Sequence, residues 1–493
     1  MKIVVVGAGF GGIAAAIELR KHGMDDVTLL EAASELGGTW HHNRYPGAAC
    51  DVPSHLYSYS FAQHAQWSRF CSPQSEILAY LREVADEHDI TRRVVLGTEV
   101  TACHWDDATH RWTVHTETVD GRPVEYDADA VVLAVGQLNK PAFPRIDGIE
   151  SFGGTSFHSA RWDLDYDLRG KRVGVIGTGA SAVQFVPAIA EDVAHLAVFQ
   201  RTGNWFLPRK NNDYAPFVSA SFRRIPALRR LWRTALFHYL ESLTAMIRHP
   251  KTVGRIGWLW SVLFMRLQLR DRDARRAVWP HYRFGCKRVL FSSAWLPTLQ
   301  RSNVEVVTEP IVEMTPTGPR TKDGRVHEVD CIVYGTGFKT TDFMLPMRVT
   351  GAGGLVLDEV WTAGAHAHLG ISIPGFPSLF VMYGPNTNTS GGSIIHFLES
   401  QAGYIRRALQ LAQRHGAAAI DIRPEVEQRS DREVQASFAG TAWLECNSWY
   451  RDDTGRIVTN WPGYMSEYAR LTEQIDPADY VFVERLAGDT TRS

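Results

Sequence analysis

Three glycines near the start of the chain have the spacing that binds a phosphate. Gly7, Gly9 and Gly12 follow a short apolar run and precede a segment of helical composition. In such a strand–turn–helix unit they permit the tight turn, the approach of a pyrophosphate and the close packing of helix on strand. Glu31 ends the next apolar run, where a carboxylate accepts hydrogen bonds from ribose hydroxyls. These residues predict a site for FAD or NAD.

The same pattern recurs further along the chain. An apolar run precedes Gly177 and Gly179, and Ala182 takes the place of the third glycine. Ser181 belongs to the same turn and is included in the second predicted nucleotide site. A helical segment follows, so that the phosphates would again lie at a helix N-terminus.

The two units differ where their second strands end. Arg201 and Thr202 follow Gln200 in the second unit, at the place of Glu31 in the first. An acid repels a 2′-phosphate, whereas an arginine pairs with it. The second site therefore suits NADPH, although a solvated surface position is the alternative for Arg201. Two dinucleotides in one chain imply hydride transfer from NADPH to flavin.

Two apolar segments that end in small residues, at 128–144 and 329–338, bracket the second unit. We assign both to the first domain, so that the chain leaves that domain and returns to it. The expected fold is α/β, with two Rossmann-like dinucleotide-binding domains, for FAD and NADPH, the second inserted in the first. The predicted limits are 1–148 and 329–493 for the FAD domain, and 149–328 for the NADPH domain with a helical insertion at about 215–280.

Composition excludes several classes of protein. The 493 residues carry a formal net charge of -2, which argues against general attraction to nucleic acid or to an anionic membrane. The six cysteines show neither a C-x-x-C pair nor zinc spacing, so reduced thiols and no metal site are expected. No apolar run reaches bilayer length, and we predict a cytoplasmic protein.

Two longer motifs carry a family resemblance. The first has the spacing F-x-G-x-x-x-H-x-x-x-W-D, with Phe152, Gly154, His158 and Trp162 at its named positions. The second is GGTWHHNRYPGAACD. With these motifs the chain resembles the flavin-dependent Baeyer–Villiger monooxygenases, a class of flavoprotein monooxygenases. The second motif contributes Gly38, Trp40, Tyr45, Pro46, Gly47 and Asp51.

The resemblance implies an enzyme that uses NADPH and O2 to insert oxygen beside a ketone carbonyl. The product is an ester or lactone, formed through a C4a-peroxyflavin. The resemblance places the required cation at Arg288, whose donor fork suits an oxyanion, and makes Asp51 its partner near the flavin. It also places Lys287 with Arg201 on the 2′-phosphate. The alternatives are a basic surface pair for Arg288 and Lys287, and a turn residue for Asp51.

Three further residues receive roles, His158 and Trp449 from the same resemblance and Asn386 from its place in a Gly/Asn-rich turn, and each has a structural alternative. His158 would support domain motion and coupling, or serve only as a structural histidine. Asn386 precedes a helix that begins near Ser393 and could contact the flavin, or serve only the turn. Trp449 would cover bound NADP, or pack in the core.

The middle of the chain has helical periodicity. Apolar residues from Leu228 to Leu243 recur at i, i+3, i+4 and i+7, and the apolar run at 256–265 follows. We expect a helical lid that packs on the NADPH domain and walls an apolar substrate pocket. Contact with a membrane surface is the less favoured alternative.

Other functions stay open at this point. An N- or S-oxygenating flavin monooxygenase would not require the Arg288 cation. An NADPH-dependent flavin reductase or oxidase shares both nucleotide sites, whereas a disulfide reductase needs paired cysteines beside the flavin. A nucleotide-sensing scaffold is the non-catalytic alternative. The expected partners are a small hydrophobic ketone, or a sulfide, and O2; the oligomeric state is undetermined.

Overall fold

The computed structural model describes residues 1–209, 211–344, 346–389 and 391–486. Those residues contain twenty strands and thirteen α-helices. The strands are β1 Ile3–Val6, β2 Val27–Leu30, β3 Val94–Val95, β4 Thr98–Asp106, β5 Arg111–Thr118, β6 Pro123–Ala128, β7 Ala130–Leu133, β8 Thr155–His158, β9 Arg172–Ile176, β10 His195–Phe199, β11 Phe206–Leu207, β12 Leu290–Phe291, β13 Val304–Val307, β14 Ile311–Thr315, β15 Gly318–Thr321, β16 Cys331–Tyr334, β17 Arg348–Thr350, β18 Leu379–Val381, β19 Ala419–Ile422 and β20 Tyr480–Val483. The helices are α1 Phe10–Lys21, α2 Thr39–His42, α3 Gln74–Glu87, α4 Ala180–Ile189, α5 Pro216–Arg224, α6 Pro226–Arg248, α7 Val253–Gln268, α8 Arg272–Val278, α9 Trp295–Thr298, α10 Leu357–Val360, α11 Ile394–Arg414, α12 Pro424–Ala436 and α13 Met465–Glu473.

The first parallel sheet is built from both ends of the chain. Its strand order is β18-β7-β1-β2-β3, and β1 pairs in parallel with β2 and β7. The apolar run of β1 is buried along its whole length, as expected for a central strand covered on both faces. Because β18 joins this sheet from the C-terminal part, the second unit is inserted in the first, as predicted.

The second parallel sheet has the order β13-β10-β9-β16-β8. Its strand β16 pairs with β9 and β8, which places Cys331 opposite both Val173 and Thr155. The prediction that the run at 329–338 belongs to the first sheet is therefore wrong. A short buried run that ends in glycine suits either sheet, and only the pairing decides. The other predicted domain limits stay predictions.

The helical segment contacts both units rather than forming a lid on one. Helix α6 buries Leu236, Leu240 and Leu243 in a cluster with Phe397 of α11 and Tyr468 of α13. The N-terminal part of the predicted apolar stripe is not covered. There, Leu231 is 67% exposed. Helical periodicity correctly predicted the helix, but it could not show which part of the apolar face finds a neighbour.

The structure joins Cys286 and Cys446 in a disulfide with a Cα–Cα distance of 6.1 Å. The prediction that all the cysteines are reduced is wrong for this pair. A separation of 160 residues leaves no local spacing from which the bond could be recognised. Cys50, Cys71, Cys103 and Cys331 are buried free thiols.

No helix within the described residues is long and apolar enough to cross a bilayer. The cytoplasmic location stays a prediction.

Candidate functional site

A cavity of about 220 Å³ opens at the carboxyl end of the first sheet, against the turn between β1 and α1. Gly7 has a φ of 102°, and a Cβ there would lie 2.6 Å from the carbonyl oxygen of Ala134. At Gly12 a Cβ would lie 1.9 Å from the carbonyl oxygen of Gly7. Glycine is therefore required at both positions, because any side chain would displace the backbone that shapes the cavity.

The GGTW part of the second motif forms the opposite wall of this cavity. Gly38 has a φ of 53°, and a Cβ there would lie 3.0 Å from the Cα of Gly9. The two backbones thus meet closely at the point where the first glycine turn faces the cavity. The indole N–H of Trp40 donates to the Tyr57 hydroxyl over 3.2 Å, and both rings line the cavity.

Glu31 is buried at the end of β2 and lines the same cavity. Its Oε2 accepts a hydrogen bond from the Ala8 N–H at 2.8 Å, and its Oε1 accepts one from the Ala33 N–H at 2.9 Å. A carboxylate has about four acceptor positions, so two positions stay available for ribose hydroxyls. The backbone contacts hold the carboxylate in place at the turn.

The second glycine turn lies at the end of β9. Gly177 has a φ of 106°, and a Cβ there would lie 2.4 Å from the carbonyl oxygen of Gly335. Gly335 follows β16, so the strand that was assigned to the other sheet supplies the close approach. Gly179 caps the N-terminus of α4, and Ser181 is in the first turn of that helix. These residues have the arrangement expected at a phosphate site.

The basic residues predicted for the 2′-phosphate come together near the end of β10. Gln200 is buried and donates to the carbonyl oxygen of Ala277 at 2.8 Å, whereas Arg201 next to it is exposed. Burial lowers the pKa of Lys287, and the nearby charge of Arg201 lowers it further. Thr202 follows and is half-buried. Two cations whose charges act on each other in this way favour a bound anion.

The predicted ion pair between Asp51 and Arg288 is present. An Arg288 Nη2 group donates to Asp51 Oδ2 at 2.5 Å, and the side chains are 33% and 19% exposed, respectively. Burial opposes ionisation of Asp51, but the charges of Arg288 and Arg209 outweigh it and hold its pKa below the usual value. The Asp51 charge raises the pKa of Arg288. The pair is therefore ionised at any working pH.

This ion pair lies beside the first cavity. The charge of Arg288 acts on Tyr383, and the charge of Asp51 acts on Tyr57. Both tyrosines line the cavity. Arg209, which the sequence analysis missed, donates to the carbonyl oxygen of Cys50 at 2.5 Å and adds a second cation near Asp51. Its position depends on tertiary contacts, and no motif identifies it.

The second motif also connects the two dinucleotide units. Gln184 on α4 accepts hydrogen bonds from the Tyr45 hydroxyl at 3.0 Å and from the Ala49 N–H at 3.2 Å, and it donates to the Ala49 carbonyl at 2.9 Å. Gly47 is needed here because a Cβ would lie 2.9 Å from the carbonyl oxygen of Gln184. The motif that ends in Asp51 is thus fixed to the second unit, and Gln184 could not have been recognised from sequence.

The fingerprint motif begins with a packing requirement. A Cβ at Gly154 would lie 2.5 Å from the Phe152 ring and 2.6 Å from the carbonyl oxygen of Asp330. Phe152 can therefore fold back over its own chain only because the residue two positions later is glycine. Trp162 packs at the other end of the motif, with ring centroids 5.1 Å from Phe157 and 5.2 Å from Phe185.

His158 is buried between the two crossing segments of the chain. Its ring has edge contacts with Phe143 at 5.5 Å and Phe338 at 6.0 Å, one residue on each crossing. Nδ1 accepts a hydrogen bond from the Ala160 N–H at 3.1 Å, so the ring proton is assigned to Nε2. Burial lowers the pKa of His158 to about 4. The histidine is neutral and holds both crossings together.

The structure also shows the surroundings of Asn386 and Trp449, for which the sequence left both a cofactor role and a structural role open. Both amide hydrogens of Asn386 are donated to carbonyl oxygens of the C-terminal segment, at Ile457 and Asn460. Trp449 is 39% exposed and contacts the Tyr450 ring at 4.4 Å, so the core-packing alternative is wrong. The helix expected near Ser393 begins at Ile394, which lines the first cavity.

Comparison with known proteins identifies the family. A Baeyer–Villiger monooxygenase of Streptomyces coelicolor is 42% identical over 97% of this chain and 92% of its own length. One of Pseudomonas aeruginosa is 39% identical over 97% and 91%. The chain belongs to the Baeyer–Villiger monooxygenases. This family uses flavin and NADP, so the predicted cofactors FAD and NADPH and the predicted oxygenase activity are confirmed.

Solved structures agree with this assignment. A steroid monooxygenase bound to NADP is 31% identical with a TM-score of 0.86, and a closed cyclohexanone monooxygenase is 28% identical with a TM-score of 0.88. Each comparison covers 98% of this chain and 99% of the other. Residues 4–234 also match a family described as pyridine nucleotide-disulphide oxidoreductase. Because the monooxygenase matches extend over nearly the whole chain, they do not support the reductase and sensor alternatives for this Baeyer–Villiger monooxygenase.

Proposed function

We propose that this Baeyer–Villiger monooxygenase converts a hydrophobic ketone into an ester or lactone, with Arg288 and Asp51 as the charged pair that supports oxygen transfer. The observation that carries the proposal is the ion pair of 2.5 Å, whose charges act on Tyr383 and Tyr57, two side chains in the wall of the cavity that Gly7 and Glu31 also line. When bound, the flavin accepts hydride from NADPH and activates O2.

The predicted cofactor residues fit the two nucleotides. In the first cavity the glycine positions leave backbone free for a pyrophosphate, and the Glu31 carboxylate keeps acceptors for a ribose. In the second site the two basic residues suit a 2′-phosphate. We assign Gly7, Gly9, Gly12, Glu31, Gly38, Trp40 and Asp51 to FAD, and Gly177, Gly179, Ser181, Arg201, Thr202, Lys287 and Trp449 to NADPH. Asn386, which the sequence analysis placed near the flavin, is left out, because both of its amide hydrogens are donated to the C-terminal segment.

Arg288 supplies a fixed positive charge in a half-buried place. A guanidinium beside a carboxylate stays protonated at any working pH, and the raised pKa of Arg288 strengthens this. A fixed cation stabilises negative charge that develops on oxygen without reorganisation of solvent. Asp51 accepts from one face of the guanidinium fork and orients the remaining N–H donors. The charge of Arg209 adds to that of Arg288 in lowering the pKa of Asp51 and so helps to keep it ionised.

The test is a panel of cyclic, linear and aryl ketones together with an aryl sulfide. Esters and sulfoxides are quantified by gas chromatography, and H2O2 and NADPH consumption are measured in the same vials. We expect ester from the hydrophobic ketones, with little H2O2. Sulfoxide as the sole product, or stoichiometric H2O2 from every compound, would contradict the proposal.

The role of Arg288 is tested by Arg288→Ala. Removal of one preorganised electrostatic group costs about 10²–10³-fold in turnover, so ester formation should fall by this factor. NADPH oxidation should continue, with H2O2 replacing ester. The matched control is Arg301→Ala, which removes an exposed arginine paired with Glu191 elsewhere in the second unit. Normal ester yield from Arg288→Ala would remove this residue from the mechanism.

A further inference from the structure

Helix α7 presents large apolar residues to solvent. The α7 stripe, defined here as the exposed apolar side chains at i, i+3, i+4, i+7 and i+11 of one helical face, runs over most of the helix. Leu267 is 77% exposed, Ile256 66% and Leu263 53%. The stripe consists of Ile256, Leu259, Trp260, Leu263 and Leu267.

The opposite face of α7 buries Val262 and Met265 together with three small residues. Its buried positions include Gly254, Gly257 and Ser261. A Cβ at Gly257 would lie 2.8 Å from both the Met246 sulfur and the Phe284 ring, so this face packs closely on α6 and the second unit. An ordinary surface helix buries its large apolar side chains and exposes polar ones. Helix α7 buries some large apolar side chains in this way but leaves the five of the α7 stripe exposed, so the stripe is free for a partner.

Basic residues strongly outnumber acids in the same region. Residues 216–268 hold nine Lys and Arg side chains and a single acid, Glu241, although the whole chain has a net charge of -2. Exposed members include Arg255 and Arg266 on α7 and Lys251 just before it. The low net charge of the whole chain therefore hides a strongly basic region. A partner that binds this region must therefore carry negative charge.

A second exposed apolar patch lies on α5 and α6 of the same segment. Phe217, Leu228 and Leu231 line a groove of about 390 Å³ there. Phe217 is exposed, and the basic residues Arg223, Arg224 and Arg230 are exposed on the same two helices. Apolar area and arginine thus occur together on three successive helices.

We propose that the helical segment of residues 216–268 docks this enzyme on an anionic lipid bilayer, with the α7 stripe buried at the level of the headgroups. Aliphatic side chains, two exposed tryptophans and an excess of exposed basic residues are the composition that favours the interface between headgroup and acyl chain. Nucleic acid would use the arginines but would leave the aliphatic stripe in water. A partner protein that bound the α7 stripe in an apolar groove would need no excess of positive charge across three helices.

Docking of this kind is peripheral. Helix α7 has sixteen residues, and none of the described helices can span a bilayer. The proposal concerns a surface, and it holds whether or not the ketone assignment is correct.

The test is flotation of the purified full-length holoenzyme with vesicles. One preparation contains phosphatidylglycerol mixed with phosphatidylcholine, and the other contains phosphatidylcholine alone. We expect cofloating protein with the anionic vesicles, weaker binding to the neutral ones, and partial release in high salt because screening weakens the charge contribution. Absence of binding to the anionic vesicles would overturn the proposal.

Two variants separate the apolar and the charged contributions. Leu259→Glu with Leu263→Glu removes two exposed leucines that the bilayer would bury, and should lower vesicle partition by about tenfold or more. Arg255→Glu with Arg266→Glu should also lower it by about tenfold or more, since each basic residue near an anionic surface contributes about 1 kcal/mol. The matched controls are Leu164→Glu, an exposed leucine elsewhere, and Arg122→Glu with Arg169→Glu. Both controls should bind like wild type.

Turnover of a water-soluble ketone and bound flavin confirm that each variant is folded. Equal loss of binding in the controls would overturn the proposal, because any added negative charge would then suffice. Analytical ultracentrifugation tests the second-copy alternative. If the wild type is a dimer that Leu259→Glu with Leu263→Glu separates, while vesicle binding stays unchanged, the α7 stripe is a subunit interface and the proposal fails.

Discussion

The two dinucleotide turns share a plan but differ in how far the protein surrounds them. The first turn is closed by Glu31, which is buried and accepts hydrogen bonds from two backbone N–H groups. At the corresponding place the second unit has buried Gln200, directed at Ala277, and exposed Arg201. Gly179 in the second turn is exposed as well.

This difference teaches how one fold serves two purposes. A turn held by internal hydrogen bonds against a walled cavity suits a cofactor that stays through many turnovers. A turn whose recognition residues are exposed suits a nucleotide that must arrive and leave. The glycines alone do not distinguish these cases, because the same dihedral angles are needed in both turns.

The largest expected effect is at the third small residue of each turn. Gly12→Ala places a Cβ 1.9 Å from the Gly7 carbonyl oxygen, so we expect loss of bound flavin and of most folded protein. The reciprocal change Ala182→Gly, at the same place in the second turn, removes a side chain instead of adding one. It should lower the free energy of unfolding by only about 0.5–1 kcal/mol, because glycine is more flexible than alanine in a helix. Flavin absorbance and thermal denaturation measure both. Full flavin occupancy in Gly12→Ala would break the comparison.

The next effect concerns the exposed cations of the second turn. Arg201→Ala should raise the KM for NADPH by about 10–100-fold, because a hydrogen bond to a charged group contributes about 1.5–3 kcal/mol. The KM for NADH should not change, since NADH has no 2′-phosphate. Lys287→Ala should act in the same direction. Steady-state kinetics measures both KM values, with Arg325→Ala as the exposed control. Equal increases in KM for NADPH and NADH would contradict this assignment.

A smaller effect, on stability, is expected from loss of the Cys286–Cys446 disulfide, which lies next to Lys287 of the second site. Cys286→Ser should lower the free energy of unfolding by about 2–4 kcal/mol, because the loop that closes is long. Cys446→Ser should give the same loss, and the double variant no further loss, since only one bond is removed. Chemical denaturation measures all three. A double variant with twice the loss of either single one would mean that the cysteines act separately.

The smallest effect concerns His158, where the two units cross. Its pKa of about 4 lies below the ordinary value of about 6.5, so between these pH values the unfolded chain binds a proton that the folded chain does not. Wild type therefore loses stability as pH falls from about 6.5 to 4, and His158→Gln loses less. The difference in melting temperature between them should shrink over this range. A constant difference would show that His158 is not buried as a neutral ring.

Local sequence was sufficient for the parts of the fold that depend on neighbours in the chain. Both glycine turns, Glu31 and the helix after Gly12 follow from residues within one unit. The pairing of Asp51 with Arg288, 237 residues away, followed only from the family resemblance. Gln184 and Arg209 were not predicted, because their partners are set by how the two units meet.

Long-range pairing also explains two of the wrong predictions. The run at Cys331–Tyr334 has the composition of a central strand, and either parallel sheet could accept it. Cys286 and Cys446 meet only after the whole fold is assembled. For helix α7, the apolar run at 256–265 could not show which of its large side chains point away from the protein.

The disulfide makes the chain between residues 286 and 446 a covalent ring. That ring includes Arg288, the start of α11 that lines the first cavity, and the exposed loop at Gly353. A protease that nicks the backbone at this loop would leave both pieces joined, and they would separate only after a thiol reductant is added.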